Sequence, residues 1–439
     1  MASISPADLA RELLECCLAG ARWRAAALKE LVAMAAGQDA ELAREASLAL
    51  FGILIERLGD LFEPRLCDVY ADLFSQVIEQ VRPEFRAANL IARYNRVRRP
   101  PPVPACVRRV YVLSRVTLGA DIAVTSVLLD AAKRRFPSAE ICYTGSRKGW
   151  ELFAADPRIQ HTQAPYVRTG TLSERLAAGL ALREILAGWD AIVVDPDSRL
   201  TQLGLLPVCE EDRYFFFESR SFGGDGGDSL PVLAARWAEQ TFGVSGARAY
   251  VAPTADSEAL AHNGVRRELA PDLDCSARRT LCAQDGQADI TVSFGVGENP
   301  AKRIADPFET ELLRSLRASG WTVLIDKGGS EEESARVERA VADSGPSEGR
   351  VETWQGAFAP FAAAIAASRL YIGYDSAGQH AAAAAGVPLV AIFAGFPTER
   401  MFERWRPDGA GAIRIVRADD PEPYKVLEAT LAAVRELLP

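Results

Sequence analysis

The chain has no basic excess: 50 Lys and Arg stand against 59 Asp and Glu, a formal net charge of −9. A polyanion-coating, nucleic-acid-binding protein is therefore not expected. It has 8 cysteines but no CxxC pair, which argues against both a zinc ribbon and a disulfide framework and favours reduced thiols. No apolar run is long enough to span a bilayer, and "MASISPADLARELLECC" lacks a basic segment followed by an apolar core. The expectation is a cytoplasmic chain, with a peripheral contact at an inner membrane as an extension of it. Also missing are GxxxxGK[ST] and, at any credible strand end, Asp-x-Asp; "DPD" at 195–197 comes nearest. A P-loop and a carboxylate-held metal are accordingly not expected.

What is present falls into three regions. Residues 1–99 read as helical, with Ser5 as N-cap, Pro6 at the first helical position and Leu9, Leu13, Leu14 and Cys17 on one face. "RRPPPVPACVRR" then breaks the helical pattern and predicts an extended, basic boundary. Its arginines read as a solvated linker or as contacts to an anionic surface. Beyond it, apolar strands alternate with helical periodicity in two blocks, 106–285 and 286–439. The strands are "RVYVLSRV", "AEICYTG" and "WDAIVVDP", then "ADITVSFGVG", "WTVLID", "RLYIGYD" and "PLVAIFAG". "KGWELFAA" reads as a helix, and "ELAPDLDCSARR" as the crossover between the blocks. The pattern predicts an α/β protein: two doubly wound, Rossmann-like domains facing a cleft, preceded by an α-helical domain.

Ligands of such sheets sit beyond the carboxyl ends of the strands. In the second block "SFGVGENPAKR" places Gly297 and Lys302 there, where backbone amides and an ammonium can meet an anion. "IDKGGSEEE" places Glu331, which reads equally as a ribose contact or as a helix start. "YIGYDSAGQHAAAAAG" closes a strand with Asp375 and Ser376 and opens an alanine-rich helix at Ala377, Gly378 and His380. Free amides at that N-terminus favour a diphosphate. In the first block "LSRVTLGADIAVTS" puts Asp121 at a strand end, as a general base or as a helix cap.

These motifs resemble glycosyltransferase family 9, the heptosyltransferases of lipopolysaccharide core assembly. The likeness lies in Asp375-Ser376-Ala377-Gly378-Gln379-His380, then Pro388 and Phe393-Ala394-Gly395, with support from "LSRVTLGAD…RRFP" and "GVGENPAKR". Ala377 stands where the family has glycine, and Gly119-Ala120-Asp121 is one residue longer than its Gly-Asp. The resemblance implies a GT-B fold and inverting, metal-independent transfer from a nucleotide-diphosphate sugar, ADP-heptose-like, with no further cofactor. The acceptor it implies is a glycan or lipid-linked hydroxyl, as in lipopolysaccharide biosynthesis. It further implies Asp121 as base and Lys302, Asp375, Ser376 and His380 around the donor, with Ala377, Gly378, Gly297 and Glu331 beside them; Arg115 is expected at the acceptor, and Asp195 reads as a turn residue or as an acceptor contact. The competing expectation is a degenerate GT-B protein that binds a sugar nucleotide or acts as a scaffold, with the helices docking a protein partner.

Overall fold

The computed structural model describes residues 4–188, 190–254, 288–297, 299–346 and 348–438. The N-terminal helices are Pro6–Leu18, Ala25–Ala35, Ala40–Leu48, Pro64–Val81 and Ala87–Val97. A π-register stretch, Ala49–Ile55, continues the third of these into Glu56–Asp60. Ser5 caps the first helix by accepting from the Asp8 amide, as its sequence predicts. Among the described residues, no helix is long and apolar enough to cross a membrane.

The rest builds two parallel sheets. The first contains β1 Arg109–Leu113, β2 Glu140–Gly145, β3 Ile159–Gln163, β4 Ala191–Asp195 and β5 Tyr214–Phe216. Its order is β3-β2-β1-β4-β5. The second contains β6 Ile290–Ser293, β7 Val323–Asp326, β8 Val351–Trp354, β9 Leu370–Tyr374, β10 Leu389–Phe393 and β11 Ile413–Arg417. Its order is β11-β10-β9-β6-β7-β8. Both are doubly wound, with the order reversing between β1 and β4 and between β6 and β9, which are the crevices where such sheets take ligands.

The strands read from sequence are the interior ones. β3, β5, β8 and β11 escape that reading, and all four are sheet edges. An edge strand is shielded on fewer sides, so "IQHTQ", "VETW" and "IRIVR" carry polar residues that interrupt any apolar run, while "YFF" is only 3 residues long. "KGWELFAA" forms a helix only over Arg147–Trp150. The expected crossover at 268–279 and the boundary at 285/286 lie outside the described residues.

Side chains alternate across each strand, so each sheet feeds two cores. On one face of the first sheet, Tyr111, Leu113, Val193 and Phe216 join the N-terminal helices in a single cluster with Leu31, Leu54, Tyr70 and Phe74. The helical region therefore lies on that sheet with a core continuous with it. The opposite face, Val110, Val112, Ile192 and Phe215, packs on helices Ser126–Arg135 and Leu230–Phe242. Some of the arginines around the boundary are tied down, while Arg99 and Arg108 stay exposed: Arg93 donates to the Gly204 carbonyl, Arg96 pairs with Glu211, and Arg98 bridges Asp68 and Glu218. These three fasten the last N-terminal helix to the first lobe.

Candidate functional site

At the second switch point, β6 pairs with β9 so that Ser293 stands beside Gly373. The chain after each strand consequently emerges at the same place. After β6, Gly297 takes φ +60° and leads to a 3-10 turn, Pro300–Lys302. After β9 comes Asp375, then helix Ala377–Ala384. The Lys302 ammonium lies 2.6 Å from Asp375 Oδ2 and donates to the Asp375 carbonyl at 3.0 Å. Thus the residues from separate motifs, Lys302 and Asp375, do come together. Gly395 explains why the third motif ends in glycine. It has φ +62°, and a Cβ there would fall 2.2 Å from the Ala301 carbonyl oxygen. That close approach holds the lysine turn against the end of β10.

Ser376 is the N-cap of the alanine helix, yet its side chain caps no amide. The first amides are left for another acceptor, and Ala377 and Gly378 put no bulk in front of them. Gly378 also sits over Tyr371, whose hydroxyl a Cβ would meet at 2.0 Å. His380 is buried against Trp405, ring centroids 5.8 Å apart. Burial brings its pKa down to about 4, only partly opposed by Asp375, so the imidazole is neutral at neutral pH and adds no charge to the site. Gln379, which the sequence did not single out, donates to Asp375 Oδ1 at 2.6 Å and to the Trp405 carbonyl at 3.3 Å. Glu331 is exposed at the start of helix Glu331–Asp343, beside a depression of about 290 Å³ lined also by Gly329, Ser334 and Gln355. Ser330 performs the capping there, its hydroxyl accepting from the Glu333 amide, while the Glu333 carboxylate accepts from the Gly329 amide.

Two first-lobe expectations need correction. Asp121 is 1 % exposed and both its oxygens are engaged. Oδ1 accepts from the Arg115 amide at 2.7 Å and Thr125 Oγ1 at 2.8 Å; Oδ2 accepts from Ser114 Oγ at 2.8 Å and Tyr143 Oη at 2.9 Å. It is a buried knot holding the loop after β1, and burial raises its pKa despite those donors. The residue that faces the second lobe is Gly119, where a Cβ would lie 3.4 Å from Ala377 Cα and 3.5 Å from His380 Cδ2. Two residues further round a helix the side chain has turned by roughly 200°, back into the first lobe. Here the turn enters a π-register stretch, Asp121–Thr125.

Asp195 is likewise fully buried, accepting from the Ser198 amide, Thr201 and Tyr214, and so is a turn residue rather than an acceptor contact. Burial pushes its pKa up to about 6. The native state thus holds a proton that the unfolded chain has lost, and that stabilisation disappears as pH rises through about 6. Asp195→Asn should therefore gain about 3 kcal/mol on the parent between roughly pH 4 and pH 7, read as denaturation midpoints. A gap that stays constant with pH would refute this. Arg115 keeps a place at the loop mouth, donating to the Pro196 carbonyl and Ser219 Oγ.

The lobes are joined by a latch that sequence did not reveal. From helix Glu399–Trp405, Arg404 donates to the carbonyls of Gly224, Gly226 and Asp228. Arg406 donates to Gly227, and Arg400 donates to Gly224 and to Phe62 of the helical region. The Phe62 ring meets Trp405 edge-on at 5.9 Å. Among the described residues no group of His, Cys, Asp and Glu is arranged to hold a metal ion.

No protein-family model and no curated protein matches this sequence. Solved structures do match in shape. A family 9 glycosyltransferase from Veillonella parvula DSM 2008 superposes with TM-score 0.54 at 14 % identity, covering 76 % of this chain and 99 % of its own. The E. coli heptosyltransferase WaaC with ADP gives TM-score 0.50 at 14 % identity, over 75 % of this chain and 99 % of its own. The chain has the two-lobed GT-B fold, similar to family 9 glycosyltransferases, with N-terminal helices packed on its first lobe.

Proposed function

We propose that the protein is a glycosyltransferase that takes a sugar from a nucleoside-diphosphate donor held by the second lobe and passes it to an acceptor hydroxyl on the first. The observation that carries this reading is the meeting of Lys302 with the uncapped N-terminus of helix Ala377–Ala384 at the β6/β9 switch point. A departing diphosphate needs its developing charge met by donors already in place, and an ammonium with backbone amides provides them without a metal ion. Asp375 now takes two of the lysine's three donors, as anionic phosphate oxygens would. Neutral His380 and Gln379 stand behind it as hydrogen-bonding groups. By likeness to the family the transfer is inverting, the donor ADP-heptose-like and the acceptor a glycan of lipopolysaccharide type, handled at the cytoplasmic membrane face.

Lys302→Ala should weaken ADP binding by about tenfold or more, the loss of one charge-assisted contact, measured by calorimetry with the fold checked by circular dichroism. Unchanged affinity would remove Lys302 from the site. A second reading, a sugar-nucleotide binder without transfer, is favoured by the burial of Asp121, which leaves that carboxylate no lone pair for proton transfer. ADP-sugar binding with no transfer across a broad acceptor panel would select it.

A further inference from the structure

The loops that follow β1 and β4 meet the helical region around a cavity of about 30 Å³. Arg115, Arg175, Arg199 and Arg220 line it, against the carboxylates of Glu56, Asp60 and Asp197. Arg199 is satisfied by Glu56 at 2.7 Å and Asp60 at 3.1 Å, and Arg220 Nε by Asp197 at 2.9 Å. Among the described residues Arg115 donates only to neutral oxygens, those of Pro196 and Ser219. Arg175 Nη1 stands 3.7 Å from Glu56, outside hydrogen-bond reach. With four guanidiniums against three carboxylates, the lining carries one positive charge in excess.

The donors are in excess as well. Among the described residues Arg175 Nη1, Arg220 Nη1 and Gln202 Nε2 have no hydrogen-bond partner, and these residues are only 3 %, 2 % and 3 % exposed. Leaving such groups unpaired is costly, and a guanidinium more so than an amide. The backbone around them is also in a rarely populated region: Val116, Asp197, Gln202 and Leu203 take φ of +66°, +68°, +52° and +54°. For a β-branched valine that is a true outlier, of the sort held in place at ligand clamps.

We propose that this cavity is an oxyanion subsite that accepts a single carboxylate or phosphate group from the side chains of Arg115, Arg175, Gln202 and Arg220. Its volume equals the room of two or three waters at about 10–15 Å³ each, which suits such a head group and is too small for a sugar ring. The group enters while the rest of its molecule stays at the mouth, next to the first-lobe switch point. That the group belongs to the acceptor rests on the transferase reading; the subsite itself does not. Glu56 and Asp60, from the helical region, form one wall, so that region would help to choose the acceptor as well as cover the sheet.

The test is calorimetry on the full chain with inorganic phosphate and, separately, acetate as titrants, each with and without saturating ADP. The expected result is saturable binding of one of the two anions that persists when ADP fills the second lobe. Which anion binds identifies phosphate or carboxylate as the group. Arg175→Gln should weaken it about tenfold, and Glu56→Gln, which removes a competing anion, should strengthen it. Gln202→Asn shortens the donor yet suits a positive φ, so it keeps the test alive if Arg175→Gln fails to fold. Failure of both anions to saturate, or wild-type affinity in whichever of Arg175→Gln and Gln202→Asn folds, would overturn the subsite. Absent ADP binding alongside Arg175-dependent anion binding would count against the donor reading and leave the subsite standing.

Discussion

Asp121→Ala is expected to destabilise the first lobe by about 3 kcal/mol, whereas Asp121→Asn should cost much less. The alanine variant leaves the Arg115 amide without an acceptor in a dry site and strands the hydroxyls of Ser114, Thr125 and Tyr143. In the asparagine variant the side-chain carbonyl can still accept from the Arg115 amide and Thr125, while its amide donates to the hydroxyls of Ser114 and Tyr143, which rotate to accept. Melting temperature should therefore fall by roughly 6–12 °C for alanine and only slightly for asparagine. Where sugar transfer is assayed, the asparagine variant should retain most of its rate. A native melting temperature combined with a rate lowered by about 10² to 10⁴ would restore Asp121 as the base and contradict the buried-knot assignment.

Arg404→Met should open the seam between the lobes while leaving each folded. Arg404 is 0 % exposed, and burial brings its pKa down to about 10, so the guanidinium stays charged at neutral pH. Its donors reach three first-lobe carbonyls, and methionine fills much of its volume with none of them. Its Nε already lacks a partner among the described residues, so that atom is not missed. The loss, about 3 kcal/mol for charged donors to backbone oxygens, corresponds to roughly a hundredfold in the local opening equilibrium. Hydrogen exchange at 222–229 and at 399–406 should accelerate by that factor, with the strand amides of β1 and β9 unchanged. Wild-type exchange in the 222–229 loop would refute a latch. A uniform acceleration, strands included, would make Arg404 a general stability residue instead.

The legibility of this protein followed its local patterns. Interior strands such as "AIVVD" and "LVAIF" are buried on both faces, so a continuous apolar run betrays them. The four edge strands lack that signal because less of each is shielded, and only pairing with a formed neighbour defines them. The donor-side motifs were readable for a similar reason: in a doubly wound sheet a residue just past a strand end is placed by the strand itself. Lys302 and Asp375 are thereby brought within 2.6 Å although 73 residues separate them.

What the sequence left undecided was the direction of side chains and the pairing of charges across regions. Asp121 could be read as a base or a cap, since a carboxylate at a strand end serves either; the helical turn that sends Gly119 outward sends Asp121 inward, where four donors hold it as a buried knot. Asp195 was settled in the same way by Thr201 and Tyr214. The arginines near the proline boundary resembled a solvated segment because their partners, Glu211 and Glu218, lie more than a hundred residues away. The latch at Arg404 and the cavity beneath the helical region have no sequence signature, because each is assembled from carbonyls or side chains that only the packed lobes bring together. Sequence alone thus determined the alternation that makes two doubly wound sheets and the strand ends where an anion is met. Tertiary packing decided which carboxylates are buried, which arginines are spent on the protein itself, and which are left with donors to spare.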